Sequence, residues 1–367
     1  MNLLDHKKIS FLWNKKGVFY LLLSSIFIAL MIVVFLAYKE YSYTDKQKVF
    51  ETRIRTINDF IRSIDTDSKR VIYISGFRSL IAMEDYVARL RPSHYLDDSE
   101  LIYNSEEFFK CAFYYGKNVA NITGTKIPGT NCSNTTAQID VLADATYMDY
   151  LNRLRTIANM IGLDINITVT KITLYQQSSP WAVTVDVTAQ INLSDQKGLA
   201  RWDFIKTYST NVSIISIRDP VYIVSTYGKV PNAIRITNIT NFVINKDPVN
   251  LMTHIRNMSY TNNSLAPSFM MRLKGNFSNS TCCGIESFVY IPQLVDQGII
   301  YDSSRSIIDY IYFSNDTNIT ASYSNITCYV QNITDAAAYT LFKFKIDVNH
   351  TKSPSPSYID NLNRTFC

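Results

Sequence analysis

Residues 17–38 form one uninterrupted apolar run, GVFYLLLSSIFIALMIVVFLAY, that contains neither a charged residue nor a proline. A helix over residues 18–38 would be roughly 30 Å long at about 1.5 Å per residue, which matches the hydrocarbon core of a bilayer. The next apolar candidate, residues 288–301, is interrupted by polar side chains. The sequence therefore predicts a single-pass membrane protein with one transmembrane helix at residues 17–38.

The charges on either side of the run predict its orientation. Before the run, one acidic residue, Asp5, stands against four basic ones, Lys7, Lys8, Lys15 and Lys16, whereas the far side mixes both signs. Positive residues stay on the cytoplasmic side of a membrane. We therefore expect a cytoplasmic tail at residues 1–16 and C-terminal domains outside the cell membrane. No A-x-A site follows the run, which favours a signal-anchor over an ordinary cleaved signal peptide.

The chain after the anchor continues in a helical pattern. No proline or glycine occurs before Gly76, and apolar residues recur four and three apart at Phe50, Ile54, Ile57, Ile61 and Ile64. That spacing predicts an amphipathic stalk helix over residues 39–91, which ends near Pro92. The stripe would serve either to pack on the chain's own sheet or to pair with a second copy of the chain.

All six cysteines fall on the predicted outer side: Cys111, Cys132, Cys282, Cys283, Cys328 and Cys367. An even number in an oxidising compartment indicates disulfides rather than a metal site, since no C-x-x-C occurs. Spacing alone does not determine the pairing. Our expectation joins Cys111 to Cys132 and leaves the adjacent Cys282 and Cys283 to pair with Cys328 and Cys367, rather than with each other.

The chain is dense in N-x-[ST] sequons, the acceptors of N-linked glycans. Of 25 asparagines after residue 120, 17 begin a sequon, and none does before it. If one residue in five is Ser or Thr, chance would give about five. The sequence therefore predicts a glycosylated head at Asn121, Asn131, Asn134, Asn166, Asn192, Asn211, Asn238, Asn257, Asn262, Asn276, Asn279, Asn315, Asn318, Asn325, Asn332, Asn349 and Asn363. The alternative is an Asn/Thr-rich strand and turn composition that raises the count.

The remaining pattern predicts an α+β fold. A helix over residues 139–161 is followed by alternating strands at residues 165–175, 181–193 and 202–217, an antiparallel sheet on which the long helix would pack. We expect a first ectodomain at residues 92–218 and a second, mostly-β, disulfide-containing ectodomain at residues 219–351. The second would hold a helix at 250–258 and strands at 234–244, 269–273, 285–291, 307–313 and 339–348, before a tail at 352–367.

No pattern in the chain nominates a catalytic residue, a cofactor or a metal. The D-x-D of Asp65 and Asp67 matches the metal motif of many glycosyltransferases, but it falls on the predicted stalk helix, where polar residues are ordinary. HExxH, GxSxG and kinase-like motifs do not occur. The net charge of +5 is spread without a basic block, so the sequence indicates no nucleic-acid partner.

Lys15, Lys16 and Gly17, placed directly before an apolar helix that runs into an amphipathic one, resemble the class III signal peptide of archaeal type IV pilins and pilin-like proteins. The resemblance implies processing at or next to Gly17 and a long helix packed on an antiparallel sheet. It also implies pilin-like subunits as partners. The rest of the chain is similar to uncharacterised anchored surface proteins of small-genome archaea.

The leading hypothesis is a non-enzymatic, glycosylated, pilin-like surface protein in filament assembly, adhesion or envelope contacts. One alternative is an uncleaved single-pass ectodomain on a stalk, which would bind as a homo-oligomer through the stalk helix. A less favoured alternative is a glycan-acting ectoenzyme.

Overall fold

The computed structural model describes residues 15–90, 94–96, 105–116, 142–244, 249–330, 343–351 and 358, without the side chains of 15–16, 41–46, 89–90, 328–330 and 343. The chain divides into two compact units, Met1–Ile64 and Asp65–Cys367, and the division falls inside the first helix. The structure is mixed helix and antiparallel sheet, as the sequence predicts at that level.

Helix α1 spans Lys15–Leu90, 76 residues without a break. The polar residues at Asp65 and Asp67, which could have capped a new helix, lie inside it. Because the carboxylate of Asp65 is used by side chains of the sheet, it does not compete for the backbone of its own helix. The helix ends immediately before Arg91 and Pro92, where the proline ring disfavours helical geometry.

The first unit contains the apolar segment. Gly17–Glu40 is long and apolar enough to cross a membrane by length and composition, and among the described residues no other helix is. Every described side chain in this stretch is exposed, from Val18 to Tyr38. Ser25, a polar residue inside the run, donates its hydroxyl to the carbonyl oxygen of Leu22 at 2.8 Å. Within the part of the chain that the structure describes, these apolar side chains are therefore not covered by protein, and the hydroxyl of Ser25 bonds inside its own helix.

Two helices precede the sheet in the second unit. Helix α2 spans Ser105–Tyr115, where the sequence analysis predicts no helix, and buries Phe108, Phe109 and Phe113. Its acidic first turn and apolar spacing are the signals that predict it. Helix α3 spans Tyr147–Met160, so the predicted start at residue 139 is wrong. Thr146 sets the true start because its hydroxyl accepts from the amide of Asp149, whose carboxylate accepts from the amide of Thr146.

A three-stranded antiparallel sheet follows, in the order β1 (Leu163–Tyr175), β2 (Ala182–Asp195) and β3 (Arg201–Ser213). This confirms the predicted strands. Alternate residues of β2 from Val183 to Leu193 are buried on one face, while their neighbours face outward. Gly76 of α1 lies so close to this face that an added Cβ would stand 3.0 Å from Val212. The C-terminal part of α1 therefore packs directly on the sheet.

The remaining chain is not the mostly-β domain that we expected. Its described helices are α4 (Pro220–Ser225), α5 (Val249–Asn257), α6 (Phe269–Leu273), α7 (Ile291–Asp296), α8 (Asp309–Tyr312), α9 (Thr317–Ser322) and α10 (Val348–Thr351). Its described strands are the pair β4 (Thr261–Asn262) and β5 (Ile285–Glu286) and the pair β6 (Ile326–Val330) and β7 (Lys343–Asp347). The predicted helix at 250–258 is confirmed.

The failed strand predictions have a common physical cause. Residues 307–312 are buried throughout, without the two-residue alternation of a half-buried strand. A short run that is apolar on every side fits a buried helix turn as well as a strand. Capping decides in favour of helix at α6, where the hydroxyl of Ser268 accepts from the amide of Met271. Residues 234–244 form only isolated bridges, at Ile236 for example.

Candidate functional site

One disulfide differs from the expected pairing. Cys282 and Cys283 are bonded to each other, with Cα atoms 3.8 Å apart, so they do not pair with Cys328 and Cys367. Cys282 is exposed, and its Sγ lies 3.3 Å from the carbonyl oxygen of Gln177 in the turn between β1 and β2. A direct bond between neighbouring residues is uncommon, which is why sequence reasoning favoured distant partners.

The other cysteines are described only in part. Cys111 is buried in α2 and disulfide-bonded. Its expected partner Cys132 and the C-terminal Cys367 lie outside the described residues, and Cys328 is described only as backbone of β6.

The D-x-D residues of α1 do not converge on a site. The carboxylate of Asp65 accepts from Lys206 Nζ at 2.6 Å and from the hydroxyl of Tyr208 at 3.1 Å, which attaches α1 to β3. Asp67 is exposed. Within the described residues, no group of three or more His, Cys, Asp or Glu side chains is placed to hold a metal ion. The processing residues Lys15, Lys16 and Gly17 lie in the first turn of α1.

The predicted glycan acceptors lie at the surface wherever the structure describes them. Asn121, Asn131, Asn134, Asn332 and Asn363 fall outside the described residues. Eleven of the other twelve are exposed, and Asn192 is half-buried. The two buried asparagines among the described residues, Asn232 and Asn263, are not sequons. Enzymatic attachment requires an accessible side-chain amide, and this distribution meets that requirement.

Two predicted glycan acceptors form a cross-strand pair on the sheet. Asn166 of β1 and Asn192 of β2 are directly opposed in the antiparallel register. In the orientation that satisfies its amide, the side-chain nitrogen of Asn192 donates to Asp203 at 2.6 Å. Opposed side chains on a sheet are only about 5 Å apart at Cβ. Asn192 is therefore the least available of the described acceptors, and Asn166 is the exposed member of the pair.

The C-terminal part of the second unit contains an ion cluster without solvent access. We call Asp219, Tyr260, Arg272, Ser287 and Asp309 the arginine cluster. Arg272, on α6, is fully buried and donates to Asp219 at 2.5 Å, to both carboxylate oxygens of Asp309 at 3.0 Å, and to the carbonyl oxygen of Ile285 at 2.6 Å. Each carboxylate has further donors, including Tyr260 to Asp219 and Ser287 to Asp309.

Opposing effects set the charges of this cluster. Burial disfavours the charge of Arg272, but the attraction of Asp219 and Asp309 outweighs it and raises the pKa of the guanidinium. Burial, together with a smaller repulsion from Asp219, raises the pKa of Asp309 to about 6, although the attraction of Arg272 works to lower it. The arginine therefore stays charged at every physiological pH.

A second buried cluster of charged residues adjoins the arginine cluster, since its Glu286 directly precedes Ser287 in the chain. We call Glu286, Asp347, His350 and Tyr358 the histidine cluster. Nδ1 of His350 lies 2.7 Å from Asp347, and its Nε2 lies 3.2 Å from Glu286, which also accepts from the hydroxyl of Tyr358 at 2.6 Å. Burial works to lower the pKa of His350, but attraction to Glu286 and hydrogen bonds to both carboxylates raise it to about 10. His350 is a cation at neutral pH.

His254 shows the opposite behaviour nearby. It is buried among the rings of Phe242, Phe288 and Tyr358, with ring centroids 4.9 to 6.3 Å away. Burial lowers the pKa of this imidazole to about 4, against a weaker attraction to Glu286. Its Nε2 has no hydrogen-bond partner among the described residues, while Nδ1 lies 3.1 Å from the hydroxyl of Thr237. His254 is therefore neutral at neutral pH.

The two clusters and His254 are buried in the interior of the second unit. The side chains of Arg272, Asp219, Asp309 and Glu286 are 0% exposed, so no substrate reaches them in this conformation. Sequence reasoning missed both clusters because their members are far apart in the chain and in unremarkable contexts. The one available signal was an excess of single charged residues within apolar runs, such as Glu286 and Asp309.

An open cavity of about 570 Å³ lies in the same unit, and Tyr95 is one of its walls. Five aromatic side chains line it: Tyr95, Tyr227, Phe277, Tyr312 and Phe313. Polar groups from residues 302–316 form another part of the lining. Its volume is in the range of pockets that hold small organic ligands. A ligand could enter this cavity, and a second, smaller open cavity of about 350 Å³ lies at the sheet, with Arg155, Asn166 and Arg201 among its lining residues.

Comparison with protein-family models, with curated proteins and with solved structures finds no match for this chain. The site residues and their geometry therefore carry the functional inference.

Proposed function

We propose that this chain is a non-enzymatic, glycosylated cell-surface protein, held in the membrane by one N-terminal helix with its C-terminal domains outside the cell. It would act in filament assembly, adhesion or envelope contacts, in the manner of a pilin-like protein. The single observation that carries this proposal is the placement of the sequons. None occurs before Asn121, and eleven of the twelve that the structure describes are exposed.

Other features support the proposal independently. The exposed apolar side chains of Gly17–Glu40 require an apolar surrounding, which a bilayer or a bundle of like helices supplies. The vicinal bond of Cys282 and Cys283 fits an oxidising compartment.

Selective labelling of lysines tests the orientation. A membrane-impermeant amine reagent applied to intact cells should modify the exposed Lys197 and Lys229. In a Gly17→Leu chain, whose processing should be blocked so that residues 1–16 are kept, Lys7 and Lys8 should react only after the cells are permeabilised. Labelling of the tail lysines in intact cells, with protection of Lys197 and Lys229, would contradict the proposed orientation.

The mature N-terminus separates the pilin-like form from the uncleaved alternative. Mass spectrometry of the protein from native membranes should find a chain that begins at or next to Gly17. Replacement Gly17→Leu should block processing, while Val18→Leu, one residue on, should leave it intact. An intact Met1 in the wild-type chain would reject the pilin-like form and favour the uncleaved stalked ectodomain.

A further inference from the structure

We propose that the cavity lined by Tyr95, Tyr227, Phe277, Tyr312 and Phe313, called the aromatic cavity below, is a saccharide-binding site. Its proposed occupant is the glycan carried by Asn315. This inference rests on the proposed glycosylation of the head. It adds a binding role to one glycan, which would lie in a built site on the protein instead of extending into solvent.

The cavity walls offer the two kinds of contact that a sugar ring needs. A pyranose has a flat face of C–H groups, which packs on aromatic rings, and a rim of hydroxyls, which hydrogen-bond. Tyr312 and Phe313 stand perpendicular with centroids 5.1 Å apart, and Tyr95 and Phe277 stand at 83° with centroids 5.8 Å apart. Both ring pairs belong to the lining, so aromatic side chains from residues 95, 277, 312 and 313 contribute to its walls.

Polar groups complete the lining. Arg305 is fixed by its Nε, which lies 3.2 Å from Asp302, and by Nη1, which donates to the carbonyl oxygens of Tyr312 and Ser314 at 2.9 Å. Asp316 uses Oδ1 to accept from the amide of Asn318. Its Oδ2 has no hydrogen bond among the described residues and is available to a hydroxyl donor. Fixed polar groups beside aromatic rings suit a neutral, hydroxyl-rich ligand better than a purely apolar one.

The mouth of the cavity is apolar and exposed. Ile300 is 97% exposed and Tyr227 is 65% exposed, and both line the cavity. Tyr227 also has a positive φ of 53°, a backbone conformation that is uncommon for an aromatic residue. A sugar chain over the mouth would remove part of this apolar surface from water.

Asn315 is the attachment point from which a glycan could reach the cavity. It is exposed, it lines the cavity, and it begins the sequon Asn315-Asp316-Thr317. A glycan attached there meets the cavity at a high effective concentration, so weak contacts are enough to hold it. The neighbouring acceptor Asn318 is also exposed but does not line the cavity, which makes it a matched control.

Mild periodate oxidation tests the proposal, because it cleaves exposed vicinal diols whatever the sugar. The full chain is purified from native membranes in detergent, oxidised for increasing times, and analysed by glycopeptide mass spectrometry. We expect the Asn315 glycan to be oxidised several-fold more slowly than the Asn318 glycan. Replacement Tyr227→Asn, which keeps a residue tolerant of positive φ, should make the two rates equal. Val295→Ser, at an exposed apolar residue outside the lining, should not.

Each other outcome overturns the inference. Equal rates in the wild-type chain, or a Tyr227→Asn chain that keeps the difference, would show that the cavity does not hold this glycan. A bare Asn315 beside a modified Asn318 would do the same. Protection that is lost on dilution would assign the occupant to a second copy of the chain. If no sequon carries a glycan, the proposed function fails first, which is a separate and recognisable result.

Discussion

Arg272 carries its charge in a part of the protein that water does not reach. It is balanced by Asp219 and Asp309 and also donates to the carbonyl oxygen of Ile285, whereas its buried Nε has no hydrogen-bond partner among the described residues. A buried ion network of this kind adds little net stability over an apolar core of equal volume, but the loss of one partner leaves the others uncompensated. The arginine cluster therefore makes the second unit sensitive to single substitutions.

Replacement Arg272→Ala should reduce the free energy of unfolding by about 3–5 kcal/mol, because two carboxylates stay buried without a counter-charge. Arg55→Ala is the control, since Arg55 forms an exposed pair with Glu51 at 3.6 Å and its loss should cost less than about 1 kcal/mol. Thermal unfolding in detergent, followed by near-ultraviolet circular dichroism, measures both. If both variants lost the same small amount of unfolding free energy, the arginine cluster would not be sealed from water.

His350 makes stability depend on pH on the alkaline side. Its pKa in the folded chain is about 10, above its ordinary value of 6.5, so its contribution is fully present below 6.5 and is lost as the pH rises towards 10. Replacement Glu286→Gln removes the main attraction and should move this loss to lower pH. Glu106→Gln, at a more exposed residue paired with Lys110, should leave the shape of the profile unchanged. Identical profiles in both variants would contradict the assigned cause.

His254 makes the stability of the folded chain depend on pH on the acid side, where stability falls as the pH falls. Its folded pKa of about 4 is below 6.5, so its contribution is present above 6.5 and is lost as the pH falls towards 4. Replacement His254→Phe keeps an aromatic ring among Phe242, Phe288 and Tyr358 and removes the proton site. The unfolding midpoint of this variant should therefore fall less between pH 6.5 and 4 than that of the wild type. An unchanged acid slope would show that this imidazole does not control it.

At the scale of elements, capping and periodicity explain which predictions succeeded. Strands β1 to β3 follow a two-residue alternation, which an irregularity between Val169 and Lys171 interrupts in β1, and were predicted within a few residues. Helix α3 begins where Thr146 and Asp149 exchange hydrogen bonds, eight residues after the predicted start at 139. In the C-terminal part of the second unit, short runs are buried on all sides, so periodicity does not distinguish helix from strand there.

The capping box of α3 gives a direct test at this scale. Replacement Thr146→Ala should cost about 1 kcal/mol, because the amide of Asp149 loses its acceptor. Thr156→Ala is the matched control, at an exposed position in the same helix whose hydroxyl donates to the carbonyl oxygen of Asn152 at 3.1 Å. The difference in unfolding midpoint reports the cap. A control variant that is equally destabilised would assign the loss to helix propensity instead.

At the scale of the whole molecule, the sequence predicted the apolar N-terminal segment, the long helix and the sheet, because each depends on a local pattern. The buried clusters and the cavity could not be predicted. Asp219, Arg272 and Asp309 are brought together from separated positions, and no spacing rule connects them. The same holds for the cavity, whose walls come from Tyr95 and from residues as distant as Asp316.

The central claim is that the head is a glycosylated surface, and glycopeptide mass spectrometry of the chain from its native membranes tests it most directly. We predict glycans on exposed sequons such as Asn166, Asn238 and Asn318, with Asn192 the least occupied because its amide is bound to Asp203. A chain with every sequon bare would contradict the claim.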